Sequence, residues 1–338
     1  MRYLLLLFIF SFAPAATAQE PILDMHLHAM AADFSGPVPT AHCVSSAIPA
    51  ASSKNEDYID TWVRHITNPD CENPVWTPGT EVGIMNETIK AMQRLNIYGV
   101  VSGTPARVEK YMGAAPGRFY PGISFELGVK EKEYSLDDLR QLHARGRLRI
   151  FGEIANQYQG ILPTDPRMNP YWEMMEKLDI PVAIHIGTGP PGVIYLGNNN
   201  YRASMHSALT IEEVLVKHPR LRVQIMHAGY PMLDDLLAVM YAHPQVYVDV
   251  GVIVWVLPEK EFYRYLRSIV EAGYGSRVMF GSDQMIWPGV IERSVSIINS
   301  APFLDAGQKR DILYNNAARF LRLDKSEIDR HHKQRPEN

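Results

Sequence analysis

Eight short runs rich in β-branched and aromatic residues recur along this chain, and most are followed by a stretch whose apolar residues fall three and four apart. The runs are 22–28, 97–103, 120–125, 148–154, 182–186, 223–227, 246–252 and 278–281. The clearest amphipathic stretches are 136–143, 211–218, 232–242, 259–272 and 289–299, and a last helix is expected over 305–323. Alternation of this kind calls for parallel strands joined by crossover helices that cover the sheet. Eight such units predict an α/β chain closed into a (β/α)8 TIM barrel, a fold that runs from about 200 to more than 400 residues as one domain. The 338 residues, 46% hydrophobic and 21% charged, suit one large core and exclude disorder.

Three segments depart from a minimal barrel. Arg2, the apolar run 4–13 and Ala16-Thr17-Ala18 before Gln19 read as a signal peptide over residues 1–18. Its apolar run is about half the roughly 20 residues that a membrane span needs. The mature chain is therefore expected to begin near Gln19, to be periplasmic or secreted, and to have no membrane attachment once the signal is removed. In that oxidising setting the 2 cysteines, Cys43 and Cys71, are expected to form a disulfide. Residues 30–80 form a long irregular insertion after the first strand, with Trp62 and Trp76 in it. Because that strand end lies on the face where barrel enzymes keep their sites, the insertion is expected to be a lid or pocket wall. Residues 324–338 read as a flexible polar tail whose His331-His332 pair is solvated. The barrel itself occupies 19–323.

The formal net charge of −4 leaves no basic face for nucleic acid, so the expected partner is a small molecule. A homodimer is the base-rate expectation for a soluble enzyme.

The chemistry-bearing residues gather at one end of the runs. In Asp24-Met25-His26-Leu27-His28, strand alternation sends both imidazoles the same way, where they can grip one cation. Glu153, His185, His227 and Asp283 each stand at or just past the end of a later run. In a closed barrel those ends converge, and imidazole with carboxylate suits zinc and other divalent transition ions.

With these residues in place, the chain resembles the amidohydrolase superfamily, in the amidohydrolase-related branch that also holds aminocarboxymuconate-semialdehyde decarboxylase-like enzymes. The resemblance extends from His26 to the Ala317-Ala318-Arg319-Phe320 helix, and Phe280-Gly281-Ser282-Asp283 carries it most specifically. It implies a metal-dependent hydrolase with a zinc or similar ion held by His26, His28, His185 and Asp283. It also implies that His227 binds a second ion or polarises the substrate. One departure stands out, since Gln284-Met285-Ile286 separates Asp283 from Trp287-Pro288, which in that branch usually follow the aspartate at once. Strand four carries no lysine, so Glu153 is either the bridge between two ions or a hydrogen-bond partner of a ligand histidine, and one ion is favoured over two.

The expected reaction is cleavage of an amide, lactone or related ester by metal-activated water, with Asp283 moving the proton and His227 stabilising the oxyanion. Non-oxidative decarboxylation of an unsaturated or aromatic acid is the alternative, and a non-catalytic binding protein a third. Arg202, His206, Tyr158, Trp255 and Trp287 follow strands and are candidates for the substrate pocket. Gly187-Thr188-Gly189-Pro190-Pro191-Gly192 matches a dinucleotide-binding pattern only formally, because its prolines do not open the helix that such a site needs.

Overall fold

The computed structural model describes residues 20–45, 50 and 54–333. The eight expected strands all form: β1 (Ile22–Ala29), β2 (Ile97–Gly103), β3 (Phe119–Pro121), β4 (Phe151–Ile154), β5 (Val182–His185), β6 (Val223–Met226), β7 (Val246–Asp249) and β8 (Val278–Met279). β1, β2 and β3 pair in parallel, as do β4 through β8 in sequence order. Bridges Ile123–Gly152 and Phe125–Ile154 join β3 to β4, and Met25 N donates to Phe280 O at 2.9 Å, which links β8 back to β1. The chain is a (β/α)8 barrel.

Two layers of apolar contact hold it. Between strands and surrounding helices lies the larger cluster, with Val182, Val223, Val246 and Val278 from the sheet and Trp172, Leu236 and Phe262 from the helices. Inside the barrel a smaller cluster draws on Leu23, Met25, Tyr98, Val100, Tyr120, Ala183, Met226 and Met279. Tyr314, Ala317, Phe320 and Leu321 of the expected final helix complete it from below. That helix is present, with a π-helical turn over Asp311–Asn315 between Ala306–Arg310 and Asn316–Leu321.

Two β-bulges change what plain alternation predicts. On β1, Leu23 and Met25 face the barrel interior whereas Leu27 and Ala29 face the helices, and the register with β2 slips between Asp24 and Leu27. The extra residue rotates the end of the strand so that His26 and His28 take over the inward face. On β4, Phe151 and Ile154 both belong to the outer layer, with a matching slip between them, and Glu153 is turned inward.

The insertion is less irregular than its composition suggests. It contains a helix, Tyr58–Thr67, and an antiparallel pair, Ala41–His42 with Val75–Trp76. Cys43 and Cys71 form the expected disulfide, with Cα atoms 6.0 Å apart. Closing that loop contributes about 3 to 4 kcal/mol through the unfolded state in the chain-entropy account. Residues 1–18, expected from the sequence to be a signal peptide, lie outside the described residues. Among the described residues no helix is long and apolar enough to cross a membrane.

The tail needs a correction. Lys325–Lys333 is a helix, and His331 is fully buried rather than solvated. Its ring stacks on Tyr98 at 3.7 Å and bonds to the hydroxyls of Tyr314 at 2.9 Å and Tyr120 at 3.2 Å. Three tyrosines from the barrel floor thus supply the apolar and polar contacts that a composition-based reading of 324–338 could not anticipate.

Candidate metal centre

At the carboxyl ends of the strands the structure brings together His26, His28, Glu153, His185, His227 and Asp283, all of them buried. The Nε2 atoms of His26 and His28 are 3.1 Å apart. Asp283 Oδ1 lies 3.0 Å from His28 Nε2 and 3.6 Å from His26 Nε2. Glu153 spans the centre, with Oε2 3.4 Å from His28 Nε2 and Oε1 4.0 Å from His227 Nε2. Among the described residues, ligand atoms within 4.8 Å of one another define the sets His26, His28, Glu153 and Glu153, His185, His227, which share the glutamate, and a third, His26, His227, Asp249. The single-ion set expected from the sequence joined His185 to His26 and His28, whereas here His185 keeps closer company with His227, their rings 4.5 Å apart.

Hydrogen bonds behind the rings fix their tautomers. His26 Nδ1 donates to Asp249 Oδ1 at 3.3 Å, and His227 Nδ1 donates to the carbonyl of Gly251 at 3.0 Å. Asp249 in turn accepts from Gln224 Nε2 at 2.7 Å and from Gly251 N at 2.6 Å. With Nδ1 carrying the proton in the neutral ring, Nε2 presents a lone pair to the centre, which is the arrangement that outer carboxylates and carbonyls impose on metal-binding histidines. Gly251 is required for the approach, because a Cβ there would sit 2.5 Å from His26 Nδ1 and 2.7 Å from Asp249 Oδ1.

The backbone around these residues is equally specified. Asp24 Oδ1 accepts from the amides of His26 and Ser282, both at 3.0 Å, and so laces β1 to the segment after β8. Gln284 clamps the main chain of His28, donating to its carbonyl at 2.8 Å and accepting from its amide at 3.0 Å. The departure noted at Gln284-Met285-Ile286 therefore has a function in holding a candidate ligand. His227 and Asp283 both adopt left-handed φ, 58° and 48°, in non-glycine residues where that conformation costs of order 1 to 3 kcal/mol.

Electrostatics favour a cation. Burial alone would discharge the ring of His26, but Asp283 and Asp249 outweigh it and push its pKa up to about 10. Burial would likewise raise Asp283, yet His26, His28 and His227 overrule it and hold its carboxyl well below the usual carboxylate range. Asp249 is also held low, by His26 and His227 against burial. Asp24, which burial dominates despite the bonds from Ser282 and His26, is raised to about 7. Buried His227 Nε2 has no hydrogen-bond partner, and Asp283 Oδ1 faces only the Nε2 atoms of His26 and His28. Such atoms cost about 1 to 3 kcal/mol each when left unpaired. Lone pairs and carboxylate oxygens aimed at one small volume fit a divalent ion and little else.

The remaining expectations divide. Tyr158 is in the centre, its hydroxyl 3.1 Å from His185 Nε2. His206 stands one layer back, 2.5 Å from the Tyr201 hydroxyl, and burial together with His227 lowers its pKa to about 4. Arg202 does not join the cluster, since its guanidinium bonds to carbonyls of its own loop, Asn199 at 2.8 Å and Tyr201 at 2.7 Å. Trp255 and Trp287 are buried, with indole N–H groups on Ser282 O at 2.7 Å and Thr40 O at 3.2 Å. Both pack edge-on against His42 of the insertion. They seat the insertion on the barrel, where the sequence had suggested a substrate wall. Gln157 and Gln224 were not singled out in the sequence, because uncharged amides carry no spacing signal, and Asp24 and Gln284 were named there without these roles.

Comparison with known proteins agrees with this architecture. The amidohydrolase family model matches residues 23–323. A TIM-barrel protein from Bordetella bronchiseptica, itself uncharacterised, is similar in fold, with a TM-score of 0.58 and 20% identity over 91% of this chain and 99% of that one. An amidohydrolase from Burkholderia multivorans gives a TM-score of 0.51 at 14% identity over 90% and 100% of the two chains. The 5-carboxyvanillate decarboxylase of Sphingomonas paucimobilis gives 0.51 at 15% identity over 70% and 82%. The chain has no significant sequence match among curated proteins. With a family model matched from β1 to the last barrel helix and a barrel to go with it, this chain belongs to the amidohydrolase family of enzymes.

Proposed function

We propose that the chain is an exported, metal-dependent hydrolase that cleaves an amide, lactone or related ester of a small molecule. The observation that carries the reading is Asp283, a buried, ionised carboxylate held in a left-handed backbone conformation with Oδ1 3.0 Å from His28 Nε2. A carboxylate kept there against burial and backbone strain serves chemistry rather than packing.

His26, His28 and Asp283 would hold one divalent ion, and His185 with His227 a second, with Glu153 between them. The shared Glu153 favours two ions over one, and the nitrogen-rich donor set favours zinc. When bound, such an ion lowers the pKa of a coordinated water and polarises the carbonyl under attack. Asp283 then accepts the proton of the attacking water and returns it to the leaving group. His227, with Nδ1 committed to Gly251, acts at Nε2 as ligand or proton acceptor, so the oxyanion role expected for it would require that ring to be protonated first. Asp249 and Gln157 orient rings. The disulfide, together with the A-x-A pattern before Gln19, supports work outside the cytoplasm.

Decarboxylation remains the second reading because a 5-carboxyvanillate decarboxylase shares the fold. Metal analysis of the purified protein, then a screen of amides, lactones and aromatic acids with carbon dioxide detection, separates the two. Asp283→Asn, assayed at saturating metal because a ligand is altered, is expected to lower kcat by about 10² to 10⁴. Wild-type turnover in that variant would remove Asp283 from the mechanism, and carbon dioxide release would replace hydrolysis with the second reading.

A further inference from the structure

Both ring nitrogens of His185 are occupied, and the way they are occupied can be deduced atom by atom. Gln157 Nε2 donates to the carbonyl of Gly187 at 3.0 Å, and Gln157 Oε1 accepts from the amide of Gly187 at 3.4 Å. These two bonds settle which end of the amide is oxygen. Oε1 is 2.9 Å from His185 Nδ1, so Nδ1 must carry the proton and Nε2 must carry the lone pair. The hydroxyl of Tyr158, 3.1 Å from Nε2, can then only be the donor. It is held in place by ring contacts to His185 at 4.8 Å and Tyr201 at 5.6 Å, and by Gly189, where a Cβ would come within 3.0 Å of the phenol.

The metal-facing lone pair of His185 is thus filled by a phenol, and the phenol has a fixed seat beside it. We propose that Tyr158 is a positioning residue that holds His185 Nε2 in the ion's stead, so that its hydroxyl and a divalent ion compete for one lone pair. Binding of the ion exchanges an O–H···N hydrogen bond for an ion–nitrogen bond, and no proton changes hands. Once displaced, the hydroxyl keeps its proton and becomes a hydrogen-bond donor at the edge of the centre, available to a substrate oxygen.

This inference rests on the metal-centre reading above, and the experiment separates the two. Chelator-treated wild type and Tyr158→Phe are titrated with Zn²⁺ against a chromophoric indicator, with proton release followed in weakly buffered solution. Both proteins should take up the same number of ions, and the weaker step should be about fivefold tighter in Tyr158→Phe, the factor that corresponds to one ordinary neutral hydrogen bond. Proton release per ion should be equal in the two. A general structural disturbance would weaken binding, so the direction of the change is diagnostic. Equal or weaker binding by the variant overturns the competition. One extra proton released by wild type overturns it as well, because Tyr158 would then be a tyrosinate ligand. If wild type binds no ion at all, the metal-centre reading falls and takes this inference with it.

Discussion

Both ends of this barrel bury histidine, and the two ends do opposite things with it. At the mouth, His26 sits among Asp249, Asp283 and Glu153, and its pKa is pushed up to about 10 although burial opposes the charge. At the floor, His331 sits among Tyr98, Tyr120 and Tyr314, with Arg118, Arg330 and His332 near enough to repel a proton, and burial drives its pKa down to about 3. The depth of burial is much the same, 1% and 0% exposed. What differs is the company. Carboxylates make a buried imidazole a place for positive charge, whether proton or metal, while tyrosines make it a neutral plug that donates and accepts hydrogen bonds. A buried histidine is therefore interpretable only through the groups that face it.

The sharpest way to break that contrast is to empty the floor. His331→Ala leaves two tyrosine hydroxyls without a partner and a cavity beneath Tyr98, and should cost about 2 to 4 kcal/mol in chemical denaturation. Metal stoichiometry should not change; if it did, the floor would be part of the site. Next in size, Asp249→Ala removes the acceptor that fixes the His26 tautomer. It should weaken metal binding by about 10- to 100-fold while the near-ultraviolet circular dichroism of the tyrosine floor stays as in wild type. The smallest effect is one of pH. In the unfolded chain His331 takes up a proton near 6.5, and in the folded chain only near 3. Between those values the unfolded state binds more protons, so the contribution of His331 to stability is present above about 6.5 and is lost as pH falls towards 3. The decline of Tm below pH 6.5 should be shallower in His331→Phe, and identical slopes would show that the ring is not buried neutral.

The same contrast explains what could be read before the coordinates. His26-Leu27-His28 was legible because two imidazoles spaced by one residue in a strand have a single geometric reading, and because Glu153, His185, His227 and Asp283 recur at the ends of later strands. His331-His332, two adjacent imidazoles in a polar tail, offered no such period, and the reading of a solvated pair holds for exposed His332 but fails for buried His331. Trp255 and Trp287 illustrate the intermediate case, since their place after β7 and β8 was evident but not that His42 of the insertion lies across them.

What the sequence determined by itself was the order of strands and helices and the end of the barrel where the ionisable groups meet, because both follow from local periodicity and from the parity of residues along a strand. The pairing of Cys43 with Cys71 also followed, there being only 2 cysteines in the chain. Tertiary structure decided the rest. The bulges at Asp24–Leu27 and at Phe151–Ile154 reset which residues face inward, and they exist only in relation to the neighbouring strand. The hydrogen bonds from Asp249, Gln157 and Gly251 choose the tautomer of each ring. Those partners lie tens to hundreds of residues away along the chain, so their contacts are fixed by barrel closure, and no local pattern encodes them.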